Sequence, residues 1–135
     1  MHISIRRGLL AWLPVAALAL GLFWASSQSS LRFESDEFWD FVVRKAGHMA
    51  VYGLGTLLLW HAFARTTRLR PAWAWAAGIG LAFAASDELH QVFTKGREPT
   101  IRDVLIDAIG IVLAVLVGRL WLARRAVRGG PPTAA

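Results

Sequence analysis

Residues 101–123 read IRDVLIDAIGIVLAVLVGRLWLA, and no charged side chain lies between Asp107 and Arg119. A helix rises about 1.5 Å per residue, so roughly 20 such residues cross the hydrocarbon core of a bilayer. Lipid cannot hydrogen-bond a backbone, so an apolar run of this length must be helical unless it closes a barrel. The two-residue alternation of a barrel strand is missing here. The run therefore predicts a membrane helix with Asp103 and Asp107 near one end and Arg119 near the other.

Upstream stretches repeat that pattern. Residues 71–93 start at Pro71, stay uncharged through Ser86 and close on Asp87-Glu88-Leu89-His90-Gln91-Val92-Phe93. Residues 46–64 carry no charge apart from His48 and His61, and residues 8–25 are eighteen in a row without one. The expected fold is an all-α membrane protein, a four-transmembrane-helix bundle with spans 8–25, 46–64, 71–93 and 101–123. Residues 1–7 would form a cytoplasmic N-terminus, 8–124 the membrane domain and 125–135 a flexible cytoplasmic tail, since Gly129-Gly130-Pro131-Pro132 cannot continue a helix.

Composition agrees with this. The 135 residues suit one domain, 56% are hydrophobic and only 18% are charged, against about 25% charged in an ordinary soluble domain. Mean hydropathy is +0.45. Disorder, a collagen-like fibre and a typical soluble enzyme are excluded. With no cysteine there is no disulfide, cysteine zinc site, iron–sulfur cluster or thiol nucleophile. The first span has a rival reading as a secretory signal, with Arg6 and Arg7 ahead of it and Ala25-Ser26-Ser27 as a cleavage site. Its apolar core exceeds the usual 7–15 residues, which favours retention.

Basic residues set the expected orientation. With both termini in the cytoplasm, nine lysines and arginines lie inside and six outside, while all nine acidic residues lie on the outer side or in the outer helix ends. The net charge of +6 is then a matter of topology, and nucleic acid is not an expected partner. Trp60, Trp73, Trp75 and Trp121 map to the inner interface as an anchoring belt. Ala76, Gly80 and Ala84, and likewise Gly110, Ala114 and Gly118, recur every fourth residue, the spacing that lets membrane helices approach closely.

Intramembrane polar residues gather at one depth. Lys45, His48 and Tyr52 form a stripe on the second helix, Asp87, His90 and Gln91 share a face of the third with Glu88 beside them, and Asp103 and Asp107 lie one turn apart on the fourth. Arg97 sits in the tight loop 94–100 at that level. Ionisable groups in a membrane are costly unless paired or hydrated, so a functional site is the default reading. Each also has a bland reading: Asp103 and Asp107 neutralising Arg97 or Lys45, Tyr52 as an interface aromatic, and His61 as a lone snorkelling residue. Histidine and carboxylate together move protons, and Lys45 with Arg97 would grip an anion. That chemistry suits phosphoryl or acyl transfer on a lipid-linked substrate. A metal on His48, His90, Asp87 or Glu88 is the second option, weakened by the missing His-Glu-x-x-His spacing. No cofactor is assigned.

The segment from Lys45 through His48 and Tyr52 resembles the second-helix motif of the VanZ-like family of small membrane proteins. Ser86 through Phe93, followed by Gly96-Arg97, looks like that family's second motif, and Asp103, residue 107 and Gly110 resemble its third. The resemblance covers about residues 40–120 in order. It departs at Asp107, where the family usually has asparagine and where an aspartate needs an added cation or a proton, and at Thr94-Lys95, where a proline often precedes the glycine.

The family takes its name from a protein that raises resistance to teicoplanin. The resemblance implies a multi-pass inner-membrane protein with a polar site at the extracytoplasmic face, acting on or binding cell-envelope components. His48 and His90 would be the acid/base or ligand groups, oriented by Asp87 and Glu88. Lys45, Tyr52, Gln91, Arg97, Asp103 and Asp107 would contact substrate, with the bilayer and an anionic lipid-linked envelope precursor as partners. Oligomerisation and catalysis stay open. The alternatives are a non-catalytic structural or partner-docking membrane protein and, third, a small proton-coupled carrier.

Overall fold

The computed structural model describes residues 5–26, 37–93 and 100–128. These residues form four helices and no strand: α1 (Ile5–Ser26), α2 (Glu37–Thr66), α3 (Ala72–Gln91) and α4 (Ile101–Arg128). Each takes in most of one expected span. α2 runs unbroken from Glu37, so the stretch around Phe38, Trp39 and Phe41 continues into the span without a turn. No proline interrupts it. α4 continues to Arg128, into the stretch expected to begin the flexible tail, and Arg125 and Arg128 lie in its last turn, where the helix dipole favours cations.

Local chemistry sets the ends. Thr66 and Thr67 donate their hydroxyls to the carbonyls of Ala62 and Phe63 at 2.7 and 3.0 Å, and the Thr67 N–H also bonds the Phe63 carbonyl at 3.1 Å, which closes the last turn of α2. Pro71 stands in extended conformation ahead of α3, and its carbonyl accepts the Ala74 N–H at 3.1 Å. Thr100 opens α4 by accepting the Asp103 N–H at 2.9 Å.

α2 is the central helix, packing against α1, α3 and α4. α3 also packs on α4, α1 scarcely meets α3, and no packing joins α1 to α4 among the described residues. Small residues form the seams. Ala76 and Ala84 have no exposed surface, and Gly80 is buried between them on α3. At Gly110 a side chain would drive into the Met49 backbone carbonyl, so α2 and α4 touch backbone to backbone there. Gly118 makes room for the Trp60 ring.

The two ends of the bundle differ in chemistry. At one end Arg119 lies 5.1 Å over the Trp73 ring and Arg125 3.9 Å over Trp121, joining the tryptophan belt to its arginines. His61 is exposed on this half of α2. The opposite end holds the C-termini of α1 and α3 and the N-termini of α2 and α4, with all the described acidic side chains. α1, over Gly8–Ser26, and α4 are long and apolar enough to cross a membrane by length and composition.

Candidate functional site

Asp87 is the hub of the acidic end. It lies in the last turn and a half of α3 and is 4% exposed. Its Oδ2 accepts three hydrogen bonds: from Ser26 Oγ on α1 at 2.8 Å, from the Tyr52 hydroxyl on α2 at 3.3 Å and from Gln91 Nε2 one turn along α3 at 3.3 Å. One carboxylate oxygen thus ties three helices. Its other oxygen, Oδ1, is buried with no hydrogen-bond partner.

The next residue, Glu88, turns toward α4. Its Oε2 accepts the backbone N–H of Thr100 at 3.2 Å, which joins the end of α3 to the start of α4 across residues 94–99. Lys45 reaches from α2 to Asp103 on α4 at 2.5 Å, a close ion pair whose side chains are 25% and 18% exposed. Its ammonium also lies 5.6 Å from the Phe41 ring centre, and Arg102 stands 5.4 Å from that ring.

His48 lies one turn further in, between Lys45 and Tyr52. Its Nδ1 faces Asp107 Oδ1 on α4 at 3.6 Å, within ion-pair reach but longer than a hydrogen bond. Asp107 is 1% exposed, and neither of its oxygens has a hydrogen-bond partner. The imidazole remains about a quarter exposed and lies nearly parallel to the Tyr52 ring, with centres 6.2 Å apart. A partly open imidazole backed by a buried carboxylate can take up or deliver a proton.

Helical spacing does bring Lys45, His48, Tyr52, Asp87, Glu88, Gln91, Asp103 and Asp107 to one end, and Asp103 neutralises Lys45 as one reading of the sequence expects, but the histidines' partners differ from the expected ones. Asp107, rather than Asp87 or Glu88, backs His48. His90 lies against Phe23 of α1, ring centres 4.5 Å apart, so the two histidines face different neighbours. The anion grip expected of Lys45 meets an ammonium already held by Asp103. Its expected companion Arg97 lies outside the described residues, as do Lys95 and Gly96. Among the described residues no group of three His, Asp or Glu side chains could hold a metal ion. Two participants were missed. Ser26, which the sequence offers only as part of a cleavage site, is 2% exposed and bonded to Asp87. Asp40, 3% exposed, pairs with Arg44 at 2.5 Å. Its i, i+4 spacing was visible in the sequence.

The sequence model of the VanZ/LLP1 family matches residues 5–122, from the first residue of α1 to near the end of α4. The chain belongs to the VanZ/LLP1 family. Neither a curated protein nor a solved structure matches it. The VanZ/LLP1 pattern extends past the three polar motifs to include α1, the helix that contributes Ser26 to the Asp87 cluster. This is a membrane-associated family, in keeping with the two helices apolar enough to span.

Proposed function

We propose that all four helices of this VanZ/LLP1 protein cross the inner membrane with both termini in the cytoplasm. The acidic end then faces outward and binds the polar part of a lipid-linked cell-envelope component, with His48 handling a proton against Asp107. Large apolar side chains exposed on every helix support the four crossings: Leu13 and Leu20 on α1, Leu54 on α2, Leu81 and Leu89 on α3, and Val112 and Val117 on α4. A water-soluble monomer seldom exposes so much contiguous apolar surface.

The observation that carries the site reading is Asp107. A carboxylate with both oxygens buried and unbonded is costly, and such groups are kept where something else must donate to them. Ionised carboxylates only accept hydrogen bonds. Asp107 and the free oxygen of Asp87 therefore suit a ligand rich in hydroxyl or amide donors, as the sugar and peptide parts of envelope precursors are. The test is binding of a polyprenyl-diphosphate-linked amino sugar to the chain in nanodiscs. His48→Ala and Asp107→Asn should each weaken binding about tenfold or more, while Arg68→Ala at the other end leaves it unchanged. Equal binding by all variants contradicts the proposal.

A second reading, in which the polar end only holds the helices together, draws on the links that Asp87 and the Lys45–Asp103 pair make between elements. It predicts that His90→Ala and His48→Ala lower the melting temperature and that binding falls only as folded protein falls.

A further inference from the structure

Immediately inward of the acidic end, α1, α2 and α3 border a half-open cleft of about 100 Å³. Leu18 and Leu22 of α1, Gly55 and Thr56 of α2, and Phe83 of α3 line it, and Tyr52 is part of its wall. It exists because α1 and α3 each lean on α2 but scarcely meet each other, and because Gly55 presents no side chain to the gap. The volume would accommodate several waters, since one needs only about 10–15 Å³. Water also needs two to four polar partners, and this lining offers almost none. The Thr56 hydroxyl is already bonded to the Tyr52 carbonyl at 2.9 Å. Hydrocarbon is the filling that suits such walls.

We infer that this cleft binds one hydrocarbon chain of the lipid whose polar head lies at the acidic end. The inference rests on the reading under Proposed function and deepens it, making the ligand an amphiphile held at both head and tail. Tyr52 is the junction. Its ring forms part of the apolar wall while its hydroxyl donates to Asp87, so a chain in the cleft ends where the buried carboxylates begin. The cleft selects a flexible chain by shape and burial, and the carboxylates select the head by its donors.

The experiment uses the full chain in nanodiscs doped with phosphatidylglycerol carrying a mid-chain diazirine, followed by photolysis and peptide mapping. Labelling should concentrate on peptides bearing Leu18, Gly55 and Phe83. Gly55→Leu should lower it about tenfold. The first carbon added there meets only Leu18 Cδ2 at 3.4 Å, the end of a side chain and no backbone atom, so the substitution directs its bulk into the cleft. Leu18→Phe fills the gap from the α1 side and decides the matter should Gly55→Leu fail to fold. Ile109→Phe, on the exposed face of α4, should change nothing. Labelling spread evenly over the exposed faces, or undiminished in both filling variants, overturns the inference. Phosphatidylcholine with the same chain tests the head separately, because its head group has no hydroxyl to donate. Weaker cleft labelling by this lipid supports the donor reading. Equal labelling defeats that reading and leaves the tail site standing.

Discussion

At the scale of single residues, Asp107 and Lys45 show two ways of placing charge in an apolar setting. Asp107 is buried and accepts no hydrogen bond, with the His48 imidazole Nδ1 3.6 Å from its Oδ1. Asp107→Asn keeps the shape and removes the buried charge, so it should raise the melting temperature in detergent by a few degrees, about 1 kcal/mol, while ligand binding falls. A stability gain with a binding loss marks a group retained for its chemistry. A loss of both would assign Asp107 to structure. The Lys45–Asp103 pair calls for the opposite outcome. Its distance of 2.5 Å and limited exposure make it a charge-assisted bond between α2 and α4. Lys45→Met should cost about 1–2 kcal/mol, and Asp103→Asn should add little on top of it. Thermal melts of the two single variants and the double variant measure this coupling, and full additivity would show the pair to be incidental.

At the scale of helices, close approach is the controlling variable. Gly110 meets a backbone carbonyl of α2 that cannot swing aside, whereas Gly118 meets a Trp60 ring that can. Gly110→Ala should therefore separate α2 from α4 and cost about 3 kcal/mol or more, with Gly118→Ala costing about 1 kcal/mol. Similar melting temperatures for the two variants would mean that the seam is loose. α1 poses a separate question, because a signal peptide would be cut beside Ser26. The Ser26–Asp87 bond, the Trp12–Thr66 bond of 3.0 Å and a family match starting at residue 5 all bind α1 to the rest. We expect intact-mass analysis of the purified membrane protein to find α1 retained. A mass matching cleavage after residue 25 or 26 would refute that.

For the whole molecule, the helices were legible in the sequence because length and apolarity, which a bilayer demands, survive any detail of packing. The uncharged runs 8–25 and 71–86 and the small-residue stripe Ala76, Gly80, Ala84 needed no partner to be recognised. The gathering of the polar residues at one end of the bundle was legible too, since Lys45, His48 and Tyr52 are bound to one face by helical geometry. The Lys45–Asp103 pair was one reading the sequence offered, but the partner of His48 was not legible. Whether His48 meets Asp87 or Asp107 depends on how far α3 and α4 rotate about α2, and no spacing within one helix records that angle. Ser26 escaped because a serine just past an apolar run looks like an ordinary exit from the membrane. The proposed topology requires Thr100 and the turn between α2 and α3 to lie on opposite sides of the bilayer. The chain has no cysteine, so single cysteines at Thr100 and at Leu69, both exposed, give a clean readout. A membrane-impermeant maleimide applied to intact spheroplasts should label Thr100→Cys at once and Leu69→Cys only after permeabilisation. Labelling of both from outside, of neither, or in the reverse order would contradict an outward-facing acidic site.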